Sequence, residues 1–144
     1  MIGNVDLDLL EKTYKNASIG ITALKAVLDK PENKELNTVL YRHLRNYQEL
    51  ADRSKKQMMA NGTKVKEQTV YGKAMMKGNI KMNTLMDPSD SRIAQMVIQG
   101  STMGVTQMTR LLHSNRNADG TSVEIAKEFI KKEEENIEVM KSFL

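Results

Sequence analysis

The residues most able to do chemistry in this sequence are its histidines and glutamates, because at the right helical spacing they could hold a pair of metal ions. A di-iron or di-manganese centre in a helical bundle takes a Glu from each of two helices and a Glu-x-x-His pair from each of the other two. Neither His43 nor His113 has a glutamate three residues before it. The nearest approximations, both off the apolar helix faces, are Glu49-x-x-Asp52 and Glu135-x-x-Glu138. We therefore expect no cofactor and no di-iron catalysis.

A smaller polar set falls halfway along the helices when positions are counted outward from the two predicted interhelical turns. We expect this central polar layer to contain Tyr14, His43, Tyr47 and Glu133. A shift of one residue would bury Glu134 in place of Glu133. The layer is either a hydrogen-bonded core pair, since a buried charge needs a partner, or a weak or atypical metal site. The small residues expected opposite it are Ala17, Gly20, Gly100 and Gly104.

Other common catalytic arrangements have no support in the sequence. The chain has no cysteine, which excludes disulfides, thiolate metal sites and cysteine nucleophiles. It contains neither of the glycine-rich phosphate-binding motifs, and no serine lies in a recognisable motif with a histidine and an aspartate. An enzymatic activity is therefore not expected.

A modest excess of basic residues raises the question of nucleic-acid binding. The formal net charge is +4, and both signs are spread along the chain. Only two Phe and four Tyr are available to stack on bases. Binding to nucleic acid or another anionic surface is thus an alternative rather than the main prediction, and it would use Lys55, Lys56, Lys64, Lys66, Lys73, Lys77 and Lys81.

Helices must position these residues, because only two prolines and eight glycines interrupt the chain. Apolar residues at spacings of three and four predict long helices over about residues 6–29, 31–61, 88–114 and 121–144. We expect Asp6 to cap the first helix, with Pro31 and Pro88 at the first positions of the next two. The last helix should bury Val123, Ala126, Ile130, Glu133, Ile137, Met140 and Leu144.

The lengths of the connections predict how these helices are joined. The short first and last connections indicate two antiparallel hairpins. The connection over residues 62–87 is long enough to cross the bundle, and we expect a short helix within it from Val70 to Leu85. The predicted fold is an all-α, ferritin-like four-helix bundle with up-down-down-up connectivity. The alternative is up-down-up-down, with the short helix as a fifth element.

Methionines are concentrated in and around the predicted crossover. Met58 and Met59 lie just before it, at the end of the second predicted helix. Flexible thioether side chains suit an adaptable surface for a partner, although they also fill irregular seams in a core. A copper(I) site formed by thioethers is a further alternative. We expect an interaction surface formed by Met75, Met76, Met82 and Met86.

Four segments carry a resemblance that covers essentially the whole chain: Tyr14–Gly20, Tyr47–Glu49, Ile98–Gly104 and Glu133–Leu144. Together they look like a family of small, uncharacterised ferritin-like four-helix-bundle proteins from Gram-positive anaerobes. The end of the second helix, Lys55–Gly62, is faintly similar to spore-coat proteins of the coat F type, which are also ferritin-like. The resemblance implies the fold and a bacterial source but no established activity.

These observations predict a non-catalytic bundle that serves as a structural or protein-interaction module. We expect it to form a homodimer and to meet a protein partner through the methionine-rich crossover. No apolar run approaches the roughly 18 residues of a membrane span, and the N-terminus does not resemble a signal peptide. A cytoplasmic location follows from these features and from the lack of cysteine.

Overall fold

The computed structural model describes residues 4–65, 89–118 and 120–144. These ranges contain four α-helices and no strand: α1 (Asn4–Val27), α2 (Lys34–Ala60), α3 (Asp90–Ser114) and α4 (Gly120–Lys141). The prediction of an all-α bundle is confirmed. No helix in this part of the chain is long and apolar enough to cross a membrane. The predicted short helix and the methionine surface of Met75, Met76, Met82 and Met86 lie outside the described residues.

The second helix begins three residues after its predicted start at Pro31. Asn33 caps it, because its side-chain oxygen accepts hydrogen bonds from the backbone N–H groups of Glu35 at 2.8 Å and Leu36 at 3.1 Å. An asparagine at the N-cap satisfies two free N–H donors of the first turn, which proline, with no side-chain acceptor, cannot do. Capping by Asn33 therefore fixes the start of α2.

Polar contacts at the helix ends hold the hairpins together. Asp6 lies inside α1 rather than capping it, and its carboxylate accepts a hydrogen bond from Ser122 Oγ near the start of α4. At the other end of α1, the Asp90 carboxylate accepts backbone N–H bonds from Glu32 at 2.9 Å and Asn33 at 3.0 Å. The start of α4 thus lies beside the start of α1, and the start of α3 lies beside the α1–α2 turn.

The third helix likewise begins later than predicted. Ser89 caps it by accepting a hydrogen bond from the backbone N–H of Arg92 at 3.2 Å, so Pro88 is not its first residue. The fourth helix begins at Gly120, one residue before the predicted Thr121. These shifts of one to three residues are small beside the lengths of the helices.

The buried face of α4 is rotated from the predicted one. It consists of Ser122, Ile125, Ala126, Phe129, Glu133, Asn136 and Met140. Val123, Ile130 and Ile137 are only half-buried, and Leu144 is 62% exposed. Ala126, Glu133 and Met140 are buried as predicted, so the rotation is smaller than the ~100° that one residue represents, and it brings Phe129 and Asn136 into the core.

The helices pack unequally. The two hairpins α1–α2 and α3–α4 are the most extensively packed pairs, and α1 and α4 each also contact all the other helices. The contact between α1 and α3 is the lightest of the five pairs that pack, while α2 and α3 scarcely meet. The seam between α1 and α3 is also where a groove opens.

The α1–α2 turn depends on Asp29, whose φ of 64° is the one positive φ of a non-glycine residue in the described ranges. Its backbone N–H donates to Asn37 Oδ1 at 2.8 Å, and its carboxylate accepts a hydrogen bond from the Tyr41 hydroxyl at 2.8 Å. Aspartate tolerates this left-handed conformation better than most residues do. That hydrogen bond also raises the pKa of Tyr41.

We expect Asp29→Ala to lower the free energy of unfolding by about 1–2 kcal/mol, because it adds left-handed backbone strain and removes the side-chain bonds. Urea denaturation followed by circular dichroism would measure the change. Asp29→Asn is the matched control and should have a smaller effect, since asparagine also tolerates this conformation. Equal losses for the two variants would contradict this account of the turn.

Candidate functional site

Five polar side chains form a buried cluster at the middle of the bundle. His43 and Tyr47 lie one turn apart on α2, and Ser101 lies on α3. Glu133 and Asn136 lie three residues apart on the buried face of α4. His43 and Glu133 are each only 2% exposed. Three helices therefore contribute to one polar layer.

The hydrogen bonds of this cluster converge on one oxygen of Glu133. Tyr47 donates its hydroxyl hydrogen to Glu133 Oε1 at 2.7 Å, and Ser101 Oγ donates to the same atom at 3.2 Å. Asn136 Nδ2 donates in turn to Ser101 Oγ at 3.4 Å. Glu133 is therefore the acceptor around which the cluster is built.

His43 completes the cluster by lying close to Glu133, although it forms no aligned hydrogen bond with it. Its Nε2 lies 3.0 Å from Glu133 Oε1, which is within ion-pairing distance. Neither ring nitrogen has a hydrogen-bond partner among the described residues, so the N–H direction misses the oxygen. The ring instead packs on Tyr47, with the ring centroids 4.2 Å apart. The hydroxyl donors are therefore the stronger contacts of Glu133.

The environment of Tyr47 keeps its phenol protonated. Burial, then the charge of Glu133, then the hydrogen bond to that carboxylate raise the pKa of Tyr47 well above 10.0. Ser101 acts in the opposite direction through a hydrogen bond, but its effect is the smallest. Tyr47 is consequently a hydrogen-bond donor at neutral pH and not a base.

The raised pKa of Tyr47 predicts a loss of stability in alkali. Above about pH 10 the unfolded chain releases the phenolic proton while the folded chain retains it, so unfolding is favoured as the pH rises. This contribution to stability is complete below pH 10 and is lost as the pH rises through the folded-state pKa. We expect Tyr47→Phe to flatten the decline, which for one group is up to about 1.4 kcal/mol per pH unit.

Denaturation curves between pH 9 and pH 12 would measure this slope. Leu50→Ala, a core truncation on the same helix, is the control, since it should lower stability at every pH by about 2–5 kcal/mol without changing the slope. An unchanged slope in Tyr47→Phe would show that its phenol does not control alkaline unfolding.

The structure brings together most of the central polar layer predicted from the sequence. His43, Tyr47 and Glu133 are in contact, and Glu134 is exposed. Tyr14 is half-buried on α1 and makes none of the contacts of the cluster. The other two members of the cluster, Ser101 and Asn136, were not predicted. A sequence signal for them exists in the small Ser101 beside Gly100 and in the i, i+3 spacing of Asn136 from Glu133.

The ligands for a metal pair do not converge here. No group of three or more His, Cys, Asp or Glu side chains that could hold a metal ion occurs in residues 4–65, 89–118 and 120–144. The cluster supplies one carboxylate and one imidazole, whereas the dinuclear sites of helical bundles use four carboxylates and two imidazoles. Its residues do not fit such a centre.

A groove opens along the seam between α1 and α3 and leads to the polar cluster. We call it the α1–α3 groove; its cavity volume is about 200 Å³. Its walls are mostly apolar but include Asn16 and Gln107, and the buried side chains of Tyr47, Ser101 and Glu133 line its inner end. Other lining residues include Ile19, Leu24, Met96, Val97, Met103 and Phe129.

Two glycines on α3 leave room for this groove. A β-carbon added at Gly100 would have no atom within 4 Å among the described residues, so that position faces open space. A β-carbon at Gly104 would lie 2.8 Å from Glu133 Oε2, which places this oxygen against the bare backbone of α3. Side chains at these positions would fill the groove or cover the carboxylate.

A second cavity, of about 290 Å³, lies on the opposite side of the cluster, between α2 and α4. Polar residues line it, among them Arg42, Asn46, Lys132 and Asn136. His43 also lines this cavity and does not line the α1–α3 groove. The His43–Glu133 pair therefore separates two cavities on different faces of the bundle.

Comparison with known proteins adds no assignment to this geometry. No family model matches the chain, and no curated protein or solved structure matches it either.

Proposed function

We propose that this protein is a non-catalytic helical bundle that acts by binding a protein partner, and that the α1–α3 groove is its binding surface. One observation carries the proposal: apolar walls remain open along one seam of the bundle and lead to a buried carboxylate. Concave apolar surfaces with a few convergent polar groups are typical binding sites. The sequence prediction of an interaction module is thereby given a specific surface.

The chemistry of the cluster supports binding rather than catalysis. Glu133 Oε1 is held by two hydroxyl donors, and Tyr47 keeps its proton because its pKa is raised. A general base needs a pKa near the working pH and access to the proton it removes. Both hydroxyls donate to the one carboxylate that lines the groove, and they serve there as the donors that hold Glu133 in place.

We also propose the up-down-down-up order of ferritin-like bundles for the four helices. The bond between Ser122 and Asp6 joins the starts of α4 and α1, which favours parallel directions for these helices. The contacts of Asp90 with the α1–α2 turn favour opposite directions for α1 and α3. A cytoplasmic homodimer remains a proposal from the sequence alone, and sedimentation at high micromolar concentration would test the dimer.

Methyl NMR of methionine tests the binding proposal directly, because Met96 and Met103 line the groove. Met58 and Met140, at 1% and 0% exposure, report on the core away from it. An apolar cavity of about 150 Å³ binds benzene, so a groove of this volume has room for a short alkyl chain. We expect 1-hexanol to shift the methyl signals of Met96 and Met103 and to leave those of Met58 and Met140 in place.

A blocked variant supplies the control. Gly100→Leu fills the groove at a position with open space around it, and it should abolish the shifts. Gln99→Leu adds the same side chain at the neighbouring position, which does not line the groove, and should leave the shifts intact. Shifts that survive Gly100→Leu, or that never occur, would contradict the groove as a binding surface.

A further inference from the structure

The buried carboxylate at the inner end of the groove indicates which chemical group the groove receives. We infer that the α1–α3 groove binds a lysine side chain of a partner protein, with the ammonium group paired to Glu133 Oε2. This inference rests on the proposed function, since it names the occupant of the same groove. It adds a charge requirement that a purely apolar groove would not have.

The two oxygens of Glu133 differ in their surroundings. Oε1 takes the hydrogen bonds of Tyr47 and Ser101 and lies closest to His43. Oε2 accepts no hydrogen bond from the described residues. Among these residues, the fully buried side-chain atoms without a partner belong to His43 and Ser54, so Oε2 keeps some contact with solvent. It lies beside Gly104, whose missing side chain leaves this oxygen uncovered. The groove therefore ends at an acceptor that still has room for a donor.

The charge at this acceptor favours a cation. An ionised carboxylate removed from water is unfavourable unless a partner offsets the lost hydration. An ammonium donor offsets it through a short, charge-assisted hydrogen bond, whereas a neutral hydroxyl offsets it less and an anion would be repelled. Three exposed basic side chains line a neighbouring cavity of about 500 Å³ that shares Asn16, Ile19 and Gln107 with the groove; these are Lys12, Lys15 and Arg110. Salt screens exposed charges beyond about 8–10 Å.

The shape of the groove favours lysine over arginine. A lysine side chain has an apolar, unbranched stem that can lie along apolar walls while its ammonium makes a point contact. An arginine fork is best matched by two acceptor oxygens, and Glu133 has only Oε2 left. One free acceptor at the inner end of a mostly apolar groove matches a single ammonium group.

The rim of the groove favours a protein as the source of this lysine. Met103 stands at the rim and is 62% exposed, so a large apolar side chain lies outside the volume that one alkyl chain would fill. Methionine at a surface adapts to a partner's contour. The cavity of about 200 Å³ is also smaller than the roughly 300–1,000 Å³ of dedicated small-molecule sites.

The test compares three probes on the full chain by methionine methyl NMR, with the shifts of Met96 and Met103 as the readout. Nα-acetyl-lysine N-methylamide carries the ammonium, its norleucine analogue has the same stem without it, and n-pentylammonium is a free amine. We expect the lysine probe to bind at least ten-fold more tightly than the norleucine probe. Glu133→Gln should remove that preference, and Glu134→Gln, at the exposed neighbouring residue, should retain it.

Each outcome separates this inference from the proposed function. Equal binding of the lysine and norleucine probes, blocked by Gly100→Leu, would overturn the lysine inference and leave the groove as a binding surface. Binding of n-pentylammonium without the lysine probe would assign the groove to free amines and overturn a protein source. No binding of any probe, together with no effect of 1-hexanol, would overturn both proposals.

Two measurements keep the test decisive if Glu133→Gln fails to fold. The comparison of lysine with norleucine in the unmodified protein needs no variant, and Gly104→Ala places a methyl group against Oε2 without changing the charge. This variant should reduce the lysine preference. A paramagnetic cosolute, added before any probe, tests whether the groove is open. If the Met103 methyl is protected from it, another part of the chain occupies the groove, and the inference is overturned.

Discussion

Replacement of Glu133 by alanine should lower the free energy of unfolding by about 3 kcal/mol. The change leaves the buried hydroxyls of Tyr47 and Ser101 without their acceptor, and each unsatisfied buried group is unfavourable by about 1–3 kcal/mol. Urea denaturation monitored by far-UV circular dichroism would measure the loss. Glu134→Ala is the matched control, since this residue is exposed and should change stability by less than about 0.5 kcal/mol.

A conservative replacement separates the hydrogen bonds of Glu133 from its charge. Glu133→Gln keeps an acceptor oxygen and nearly the same volume, so its loss should be smaller than that of alanine. A loss in Glu133→Ala as small as that in Glu134→Ala would show that the cluster adds nothing to the stability of the bundle. The account of the buried layer given above would then be wrong.

Alanine substitutions at two groove glycines should have effects of opposite sign. A β-carbon at Gly20 would lie 2.4 Å from the ring of Tyr47, so Gly20→Ala forces that ring to move and should destabilise the protein by about 1–3 kcal/mol. Gly100 has open space around its added β-carbon. Gly100→Ala should therefore stabilise the protein by about 0.5–1 kcal/mol, because glycine is unfavourable inside a helix.

The two variants test each other, since they make the same chemical change in two helices that line one groove. Thermal and urea denaturation of both proteins would give the two signs. Stabilisation of the bundle by Gly20→Ala would contradict the packing of Tyr47 against the backbone of α1. Destabilisation by Gly100→Ala would show that this position is not open.

The sequence is sufficient to predict the class of the fold, because apolar spacing and the scarcity of prolines leave little choice but long helices. The helix starts are less predictable. Pro31 and Pro88 predict the starts of α2 and α3, but the caps are Asn33 and Ser89. The start of α2 depends on Asp90, which belongs to the other hairpin. Local sequence does not reveal that Asp90 lies close to the α1–α2 turn.

The site was predictable only in part. Counting from the turns is enough to bring His43, Tyr47 and Glu133 to one level, since the rise per residue of a helix is constant. Rotation about the helix axis is not fixed in this way, and a small rotation of α4 leaves Phe129 and Asn136 outside the predicted buried face. The groove is lined by side chains from all four helices, so it is a property of their packing together rather than of any one segment.

The polar layer also selects the longitudinal alignment of the two hairpins. Tyr47 belongs to the first hairpin, while Ser101 and Glu133 belong to the second. Sliding one hairpin past the other by one helical turn, about 5.4 Å, would exchange one set of apolar contacts for another but would separate Tyr47 from Glu133. A single buried polar position selects one alignment in coiled coils for the same reason. The carboxylate therefore gives the bundle one unique packing where an entirely apolar core would permit several.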